Sequence, residues 1–162
     1  MKHVVIALAL ITASLPATAQ DATEIARVQG GQSCPGCNLF QAELAYRDLK
    51  GIDVSGARLR QSDMQLSTFD DWNLSNTNLS IANMFGVRFN RSDFTGANLQ
   101  RATMVGGYFG RSSFKNADLT DANLSGADLS LARDLTQAQL DTACGDEETR
   151  LPKGLTIAHC AG

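Results

Sequence analysis

The most constraining feature of this sequence is a large apolar residue at every fifth position. An α-helix repeats about every 3.6 residues and a β-strand about every two, so neither would keep these residues on one side. The chain must therefore turn by a fixed angle after each five-residue unit. The series has no gap, and we call its members the centres: Leu39, Leu44, Leu49, Val54, Leu59, Met64, Phe69, Leu74, Leu79, Met84, Phe89, Phe94, Leu99, Met104, Phe109, Phe114, Leu119, Leu124 and Leu129.

The residue types within this series predict the size of the angle. Like side chains recur every twenty residues, which indicates that four units complete one coil and that like residues stack on one another. A four-sided solenoid follows, with its centres pointing to the axis and its coils about 4.8 Å apart. The sets that carry this inference are Met64, Met84 and Met104; Phe69, Phe89 and Phe109; and Leu39, Leu59, Leu79, Leu99 and Leu119.

Two neighbouring positions support the same packing. The residue two before a centre is mostly alanine or serine, as a narrow interior requires. Arg47 and Trp72 are bulky exceptions, and we expect the coil to bulge there or the side chain to swing outward. The residue two after a centre is often one that tolerates tight turns: Gly51, Gly56, Asn76, Gly86, Gly96, Gly106, Asn116 and Gly126.

Several units have a recognisable signature. Ala97-Asn98-Leu99, Ala117-Asp118-Leu119 and Ala127-Asp128-Leu129 resemble the A-(D/N)-L-x-x motif of the pentapeptide-repeat family. The resemblance covers residues 37–131 and implies an all-β fold, a right-handed quadrilateral β-helix. Arg47 and Trp72 depart from the family pattern, in which their position is small.

The chain before the repeat divides into two segments. Residues 1–19 read as a signal peptide, with Lys2, an apolar stretch over 4–15, and the small-x-small sequence Ala17-Thr18-Ala19. Cleavage after Ala19 would place the protein in the periplasm or outside the cell, without a membrane anchor. Residues 20–36 form an N-terminal cap segment, with a brief helix expected from Asp21 to Val28.

The chain after the repeat, residues 132–162, is expected to cover the end of the stack. Thr136 and Gln139 make a capping box, and Leu135 and Leu140 a hydrophobic staple. These signals predict a helix that begins at Gln137 and ends at 143 or 144, with the glycine at 145 as its stop. The tail resembles C-terminal caps of secreted family members.

Four cysteines in an exported chain indicate disulfides. The two ends of the stack are about 23 Å apart on the coil spacing above, so each pair should be local. We therefore expect Cys34–Cys37 and Cys144–Cys160. The alternative for the Cys-Pro-Gly-Cys sequence is a thioredoxin-like redox pair, which would require a helix N-terminus at that point.

The residue inventory disfavours catalysis and metal binding. His159 is the only histidine after the leader, which speaks against a catalytic triad and a histidine metal site. We expect no cofactor and no metal. The net charge of −3 and the nearly balanced charges of the repeat disfavour both nucleic-acid binding and mimicry of DNA.

One outer face of the solenoid combines cations with an aromatic residue. Arg88 and Tyr108 directly precede the centres Phe89 and Phe109, and Arg91 and Arg111 follow two residues after them. We interpret the stacked Arg91 and Arg111 as an unpaired basic pair beside an exposed tyrosine. This surface would suit a partner protein or an anionic polymer, and the simpler interpretation is a set of solvated charges.

The sequence therefore favours a non-enzymatic interaction or structural module outside the cytoplasm. Two alternatives are a DNA-mimicking topoisomerase inhibitor, as in the quinolone-resistance branch of the family, and a thiol oxidoreductase that uses Cys34 and Cys37. The solenoid is expected to be a monomer or an end-to-end dimer.

Overall fold

The structure, a computed structural model, describes residues 20–161, so the predicted signal peptide lies outside the described residues. Parallel backbone bridges join residues twenty apart, from Asn38 with Arg58 to Ser113 with Arg133. Each bridge is a single residue pair, so the coils associate without long strands. The twenty-residue coil predicted from the sequence is confirmed.

The coils are held together by backbone hydrogen bonds on every side. The Leu99 N–H donates to the Asp118 carbonyl at 2.8 Å, and the Asp118 N–H donates back to the Ala97 carbonyl at 2.9 Å. The same pairs recur along the stack. The predicted centres are buried, apart from a half-buried Leu49 near the N-terminal end. The assigned register is therefore correct.

The Asp or Asn before each centre has a backbone role. The Asp118 carboxylate accepts the Thr120 N–H at 3.0 Å, and the Asn98 side-chain oxygen accepts the Gln100 N–H at 3.0 Å. Neither of these N–H groups donates to a carbonyl of a neighbouring coil. The Asp or Asn side chain therefore supplies the acceptor that each N–H group needs. Hydrogen bonds from Thr120, followed by one from Gln100, also lower the pKa of Asp118.

The corners of the coil have a left-handed backbone at the position two after each centre. The predicted Gly and Asn corners all have φ between 56° and 68°. Bulky residues occupy the same conformation at other corners, including Tyr46 (59°), Leu66 (52°) and Ile81 (60°). A side chain with a Cβ is disfavoured there, and a β-branched one is disfavoured most. These corners are therefore strained.

Replacing Ile81 should stabilise the fold. Asn tolerates the left-handed conformation, so Ile81→Asn should raise the free energy of unfolding by about 1 kcal/mol. Chemical denaturation measures the change. Ile81→Val keeps a β-branched residue and should stay within about 0.5 kcal/mol of the parent. An Asn variant that is no more stable than the Val variant would contradict the strain assigned to this corner.

The bulky residues at inward positions do not distort the coil. The Thr68 N–H reaches the Arg47 carbonyl at 2.8 Å and the Asn73 N–H reaches the Ile52 carbonyl at 2.9 Å, so the ladder is continuous. Trp72 is buried, and its indole N–H donates to the Leu49 carbonyl at 2.7 Å. The expected bulge or outward swing was wrong for Trp72, because the interior supplies both a ring contact and an acceptor.

The N-terminal end of the core is covered by helix α1, Ala22–Gln29. Asp21 is its N-cap rather than its first residue, since the Asp21 carboxylate accepts the N–H groups of Thr23 and Glu24. Ile25 and Val28 are buried against the first coil. The coil itself begins at Cys34, whose N–H donates to the Asp53 carbonyl at 2.8 Å.

The C-terminal chain continues the stack irregularly beyond the predicted boundary at 131. Helix α2, Gln137–Leu140, has the expected capping box between Thr136 and Gln139, and Leu140 is buried. The chain then adds bridges from Asn123 to Cys144 and from Asp128 to Arg150.

Helix α2 is shorter than predicted, and Gly145 is not its stop. The carbonyls of Thr142 and Cys144 accept N–H groups from the coil below, from Asp121 and Leu124, at 2.8 Å each. Because these carbonyls point toward the coil below, they are not aligned along a helix axis, and the helix ends before them. Gly145 instead bridges to His159. Within residues 20–161 neither helix is long and apolar enough to span a bilayer.

Candidate interaction surface

The predicted cation-aromatic surface lies on one face of the stack, outside the buried Phe69, Phe89 and Phe109; we call this side the phenylalanine face. Arg88 and Tyr108 are bridged on adjacent coils and line an open depression of about 320 Å³. The Tyr108 ring lies back over Gly110, where an added Cβ would collide with the Tyr108 hydroxyl and ring. Gly110 therefore leaves room for the ring, and Tyr108 is half-buried, so its interpretation as an exposed tyrosine is wrong.

Arg88 is held from below by a buried carboxylate. The Asp70 Oδ2 lies 3.1 Å from the Arg88 Nη2, and Asp70 Oδ1 accepts the Asn90 N–H at 3.1 Å. The Asp70 side chain is 8% exposed, whereas that of Arg88 is 53% exposed. Arg88 is thus anchored on its protein side and open on its solvent side, where it can bind an anionic group.

The interpretation of Arg91 as unpaired is wrong. Asp71, one coil below, accepts hydrogen bonds from Arg91 Nε and Nη2 at 2.7 Å each. Stacking at the coil spacing puts the carboxylate within reach of the guanidinium. These hydrogen bonds lower the pKa of Asp71 and raise that of Arg91. Arg91 and Arg111 are therefore not an unpaired basic pair, because Arg91 has a carboxylate partner.

Arg111 differs from Arg91. Within the described chain no carboxylate lies at ion-pair distance from the Arg111 or Arg133 guanidinium. Arg133 Nε donates to the Arg111 carbonyl at 2.9 Å, which holds the two residues on one corner. This end of the phenylalanine face therefore carries two positive charges without a carboxylate at ion-pair distance in the described chain.

The phenylalanine face lacks some of the hydrogen bonds that join an Asp or Asn side chain to a backbone N–H in other units of the repeat. The position directly before a centre is occupied on this face by Thr68, Arg88 and Tyr108. In other units an Asp or Asn at this position accepts the backbone N–H of the residue two positions later in the chain. Asn90 recovers an acceptor from Asp70 in the coil below. Tyr108 has no oxygen at that distance from the backbone, so the Gly110 N–H lacks this side-chain acceptor. Arg88 and Tyr108 are therefore not the residues that the backbone of the repeat favours at this position, whereas Asp128 on the same face accepts the Ser130 N–H as the motif does.

The sequence interpretation missed an apolar strip on the adjoining methionine face, that of Met64, Met84 and Met104. Tyr46, Leu66 and Phe85 are 72%, 50% and 45% exposed, and Val105 is half-buried in the same column as Phe85. We call Tyr46, Leu66, Phe85 and Val105 the apolar strip. The available signal was a large apolar residue, Tyr46 or Leu66, at a corner position where glycine or asparagine is expected.

The four cysteines form the two expected pairs, Cys34–Cys37 and Cys144–Cys160. Cys34 and Cys37 are buried and follow helix α1, so Cys34 is not at a helix N-terminus. The Glu24 carboxylate lies near both sulfurs. Sulfurs joined in a disulfide are not thiolate ligands, so this cluster does not fit a metal while the bond is intact.

Comparison with known proteins places this geometry in a family. Pentapeptide-repeat models match residues 37–80 with eight copies and residues 89–133 with nine copies. The sequence matches no curated protein.

Among solved structures, the chain is similar to HetL, a pentapeptide repeat protein involved in heterocyst differentiation regulation from the cyanobacterium Nostoc sp. strain PCC 7120. The identity is 27% and the TM-score 0.71, over 82% of this chain and 57% of HetL. The chain thus spans little more than half the length of HetL.

Two other likenesses are weaker. A pentapeptide repeat protein of the Arabidopsis thaliana thylakoid lumen is 24% identical over 75% of this chain and 83% of its own, with a TM-score of 0.43. QnrB1, a plasmid-mediated fluoroquinolone resistance protein, is 14% identical over 70% of this chain and 57% of its own, with a TM-score of 0.39. Neither bears on function. The solved relatives imply the right-handed β-helix, and the chain, with its repeat matched over both halves of the stack, belongs to the pentapeptide-repeat family.

Proposed function

We propose that this protein is a non-enzymatic interaction module that acts outside the cytoplasm and binds a partner through its phenylalanine face. The observation that carries the proposal is the replacement of the motif's Asp or Asn by Arg88 and Tyr108. The replacement at Tyr108 leaves the Gly110 N–H without its side-chain acceptor, at a cost of about 1 kcal/mol, whereas Asp70 supplies the acceptor for the Asn90 N–H that follows Arg88. A surface kept only for solubility has no reason to bear that cost.

The geometry of the face supports binding of an anionic group. Arg88 is positioned by the buried Asp70 and remains half exposed, and the half-buried Tyr108 lines the same depression. Arg111 adds a charge without an internal partner in the described chain. A carboxylate or a similar anion could approach Arg88 and Arg111 without displacing an existing hydrogen bond of the core.

The two alternative functions find less support. The phenylalanine face mixes arginines with Asp70, Asp71 and Asp128, whereas mimicry of DNA needs a continuous acidic surface. A thiol oxidoreductase needs an accessible sulfur, whereas Cys34 and Cys37 are both buried.

Restoring the motif on this face should separate binding from folding. Tyr108→Asn supplies the missing acceptor for Gly110 and should leave the protein at least as stable, while a photo-crosslinker at position 111 captures much less partner in the native compartment. Thr103→Asn makes the same change on the methionine face and should leave capture intact. Equal capture by the parent and both variants would show the phenylalanine face to be a solvated surface only.

Export is tested independently of binding. The leader pattern and the pairing of all four cysteines support an oxidising compartment. The intact mass of the protein recovered from its host should correspond to a chain that begins at Gln20, or at Asp21 if cleavage shifts by one residue. A mass that still includes residues 1–19 would contradict export by a cleaved signal peptide.

A further inference from the structure

The residue that would begin the mature chain is a glutamine. The proposed cleavage after Ala19 gives Gln20 a free α-amine, and Gln20 is exposed. An N-terminal glutamine holds a nucleophile and an electrophile in one residue, because its amine can reach its own side-chain carboxamide and close a lactam ring. Cleavage one residue later would leave Asp21 first, and an aspartate has no carboxamide. The position of cleavage therefore decides whether this chemistry is available.

The fold leaves Gln20 free to close the ring. The first hydrogen bond of helix α1 joins the Ile25 N–H to the Asp21 carbonyl at 3.0 Å, so Gln20 lies outside the helical hydrogen bonding. The Gln20 Nε2 donates to the carbonyl of the exposed Gln41 at 3.1 Å. Such a hydrogen bond contributes only about 1 kcal/mol. It therefore does not keep the carboxamide away from the amine.

Helix α1 makes the ring favourable. An α-ammonium on Gln20 would lie one residue before the N-cap Asp21, at the end of the helix that carries a partial positive charge. Ring closure replaces this ammonium with a neutral lactam and so removes the unfavourable interaction. The ring also has room, since a depression of about 220 Å³ opens between the helix and the first coil, lined by Gln20, Ala22, Ile25, Gln29, Gln41 and Glu43.

We propose that the mature chain carries a pyroglutamyl residue at position 20. The Gln20 α-amine attacks the Cδ of its own side chain, and the new N–Cδ bond closes the lactam. The Cδ–Nε2 bond breaks, and Nε2 leaves as ammonia with a proton from the amine. The step needs no oxidant, reductant or further reactant. This inference rests on the proposed cleavage after Ala19 and adds a modification that the proposed binding role does not require.

The modification protects the segment that covers the N-terminal end of the core. A lactam has no free α-amine, so an aminopeptidase that needs this group cannot begin to remove residues. Removal of Gln20 and Asp21 would take away the N-cap of helix α1. Ile25 and Val28, which the helix buries against the first coil, would then be less firmly held.

Mass spectrometry of the protein recovered from its host tests the proposal. Cleavage after arginine releases residues 20–27 as the N-terminal peptide. Most of this peptide should be lighter than its sequence predicts by the mass of ammonia, and fragmentation should locate the loss at residue 20. An aminopeptidase that requires a free α-amine should release no residue from the intact parent protein.

Two controls separate modification of the native protein from cyclisation during handling. An isotope-labelled synthetic peptide of residues 20–27, with a free amine, passes through the same digestion and should remain mostly open. The variant Gln20→Ala has no carboxamide, so its first residue should keep its amine and be released by the aminopeptidase. The same variant should still be captured by the partner from position 111, because Gln20 lies outside the phenylalanine face.

The outcomes are separable from those of the proposed function. A free amine on Gln20, or a chain that begins at Asp21, overturns the modification and leaves export by a cleaved signal peptide in place. Equal loss of ammonia from the labelled peptide and the protein would assign the ring to handling and also overturns it. A mass that includes residues 1–19 removes the modification and export together.

Discussion

Phe89→Ala should lower the free energy of unfolding by about 3–5 kcal/mol, a large fraction of the total stability of a typical domain. Phe89 is fully buried, and its ring lies 5.1 Å from that of Phe94, 5.4 Å from Phe69 and 6.1 Å from Phe109. Hydrogen bonds to the coils above and below fix the backbone, so the cavity cannot close by collapse. Equilibrium denaturation in urea measures the loss.

The matched control is Phe85→Ala, four residues earlier on the same coil. Phe85 is nearly half exposed and belongs to the apolar strip, so its removal should cost no more than about 1 kcal/mol. The same change in chemistry thus separates an inward centre from an outward position. Similar losses for the two variants would contradict the register of the stack.

Removing the Cys144–Cys160 bond should also destabilise the protein strongly. The bond closes a loop with a sequence separation of 16. In the chain-entropy model, a loop of this length contributes about 3 kcal/mol to the free energy of unfolding. The double variant Cys144→Ala/Cys160→Ala should lose that amount in denaturation under oxidising conditions.

The structure predicts where this loss begins. The tail held by the bond includes the half-buried Leu151, Leu155 and Ile157, which pack against the C-terminal end of the core. Hydrogen exchange in the double variant should therefore rise first at Leu124 and Leu129, whose N–H groups donate to Cys144 and Arg150. Unchanged protection at those two amides, or a loss below about 1 kcal/mol, would mean that the tail is held without the bond.

The covered ends also bear on the end-to-end dimer expected from the sequence. Ile25 and Val28 of helix α1 cover one end, and the tail with Leu140 covers the other. An end-to-end dimer could not form through an exposed core in the described chain, and would need contacts between the two covering segments.

The periodic part of this protein was determined by sequence alone. A five-residue apolar period allows only a chain that turns regularly, and like residues twenty apart set the coil. The two disulfide pairs followed from the same geometry, because ends so far apart cannot share a bond. Local signals also located the start of helix α2, since the capping box of Thr136 and Gln139 involves residues close in the chain.

Contacts between coils were decided by the tertiary structure. Whether Trp72 turns inward depends on a carbonyl 23 residues away, and whether Arg91 is free depends on Asp71 one coil below. Helix α2 ends early because the preceding coil needs the Thr142 and Cys144 carbonyls. The apolar strip likewise forms only because the stacking places Leu66 and Phe85 on adjacent coils at the same corner. Each of these outcomes depends on which side chains the stacking places about 4.8 Å apart, and the sequence period specifies the stacking but not the side-chain geometry.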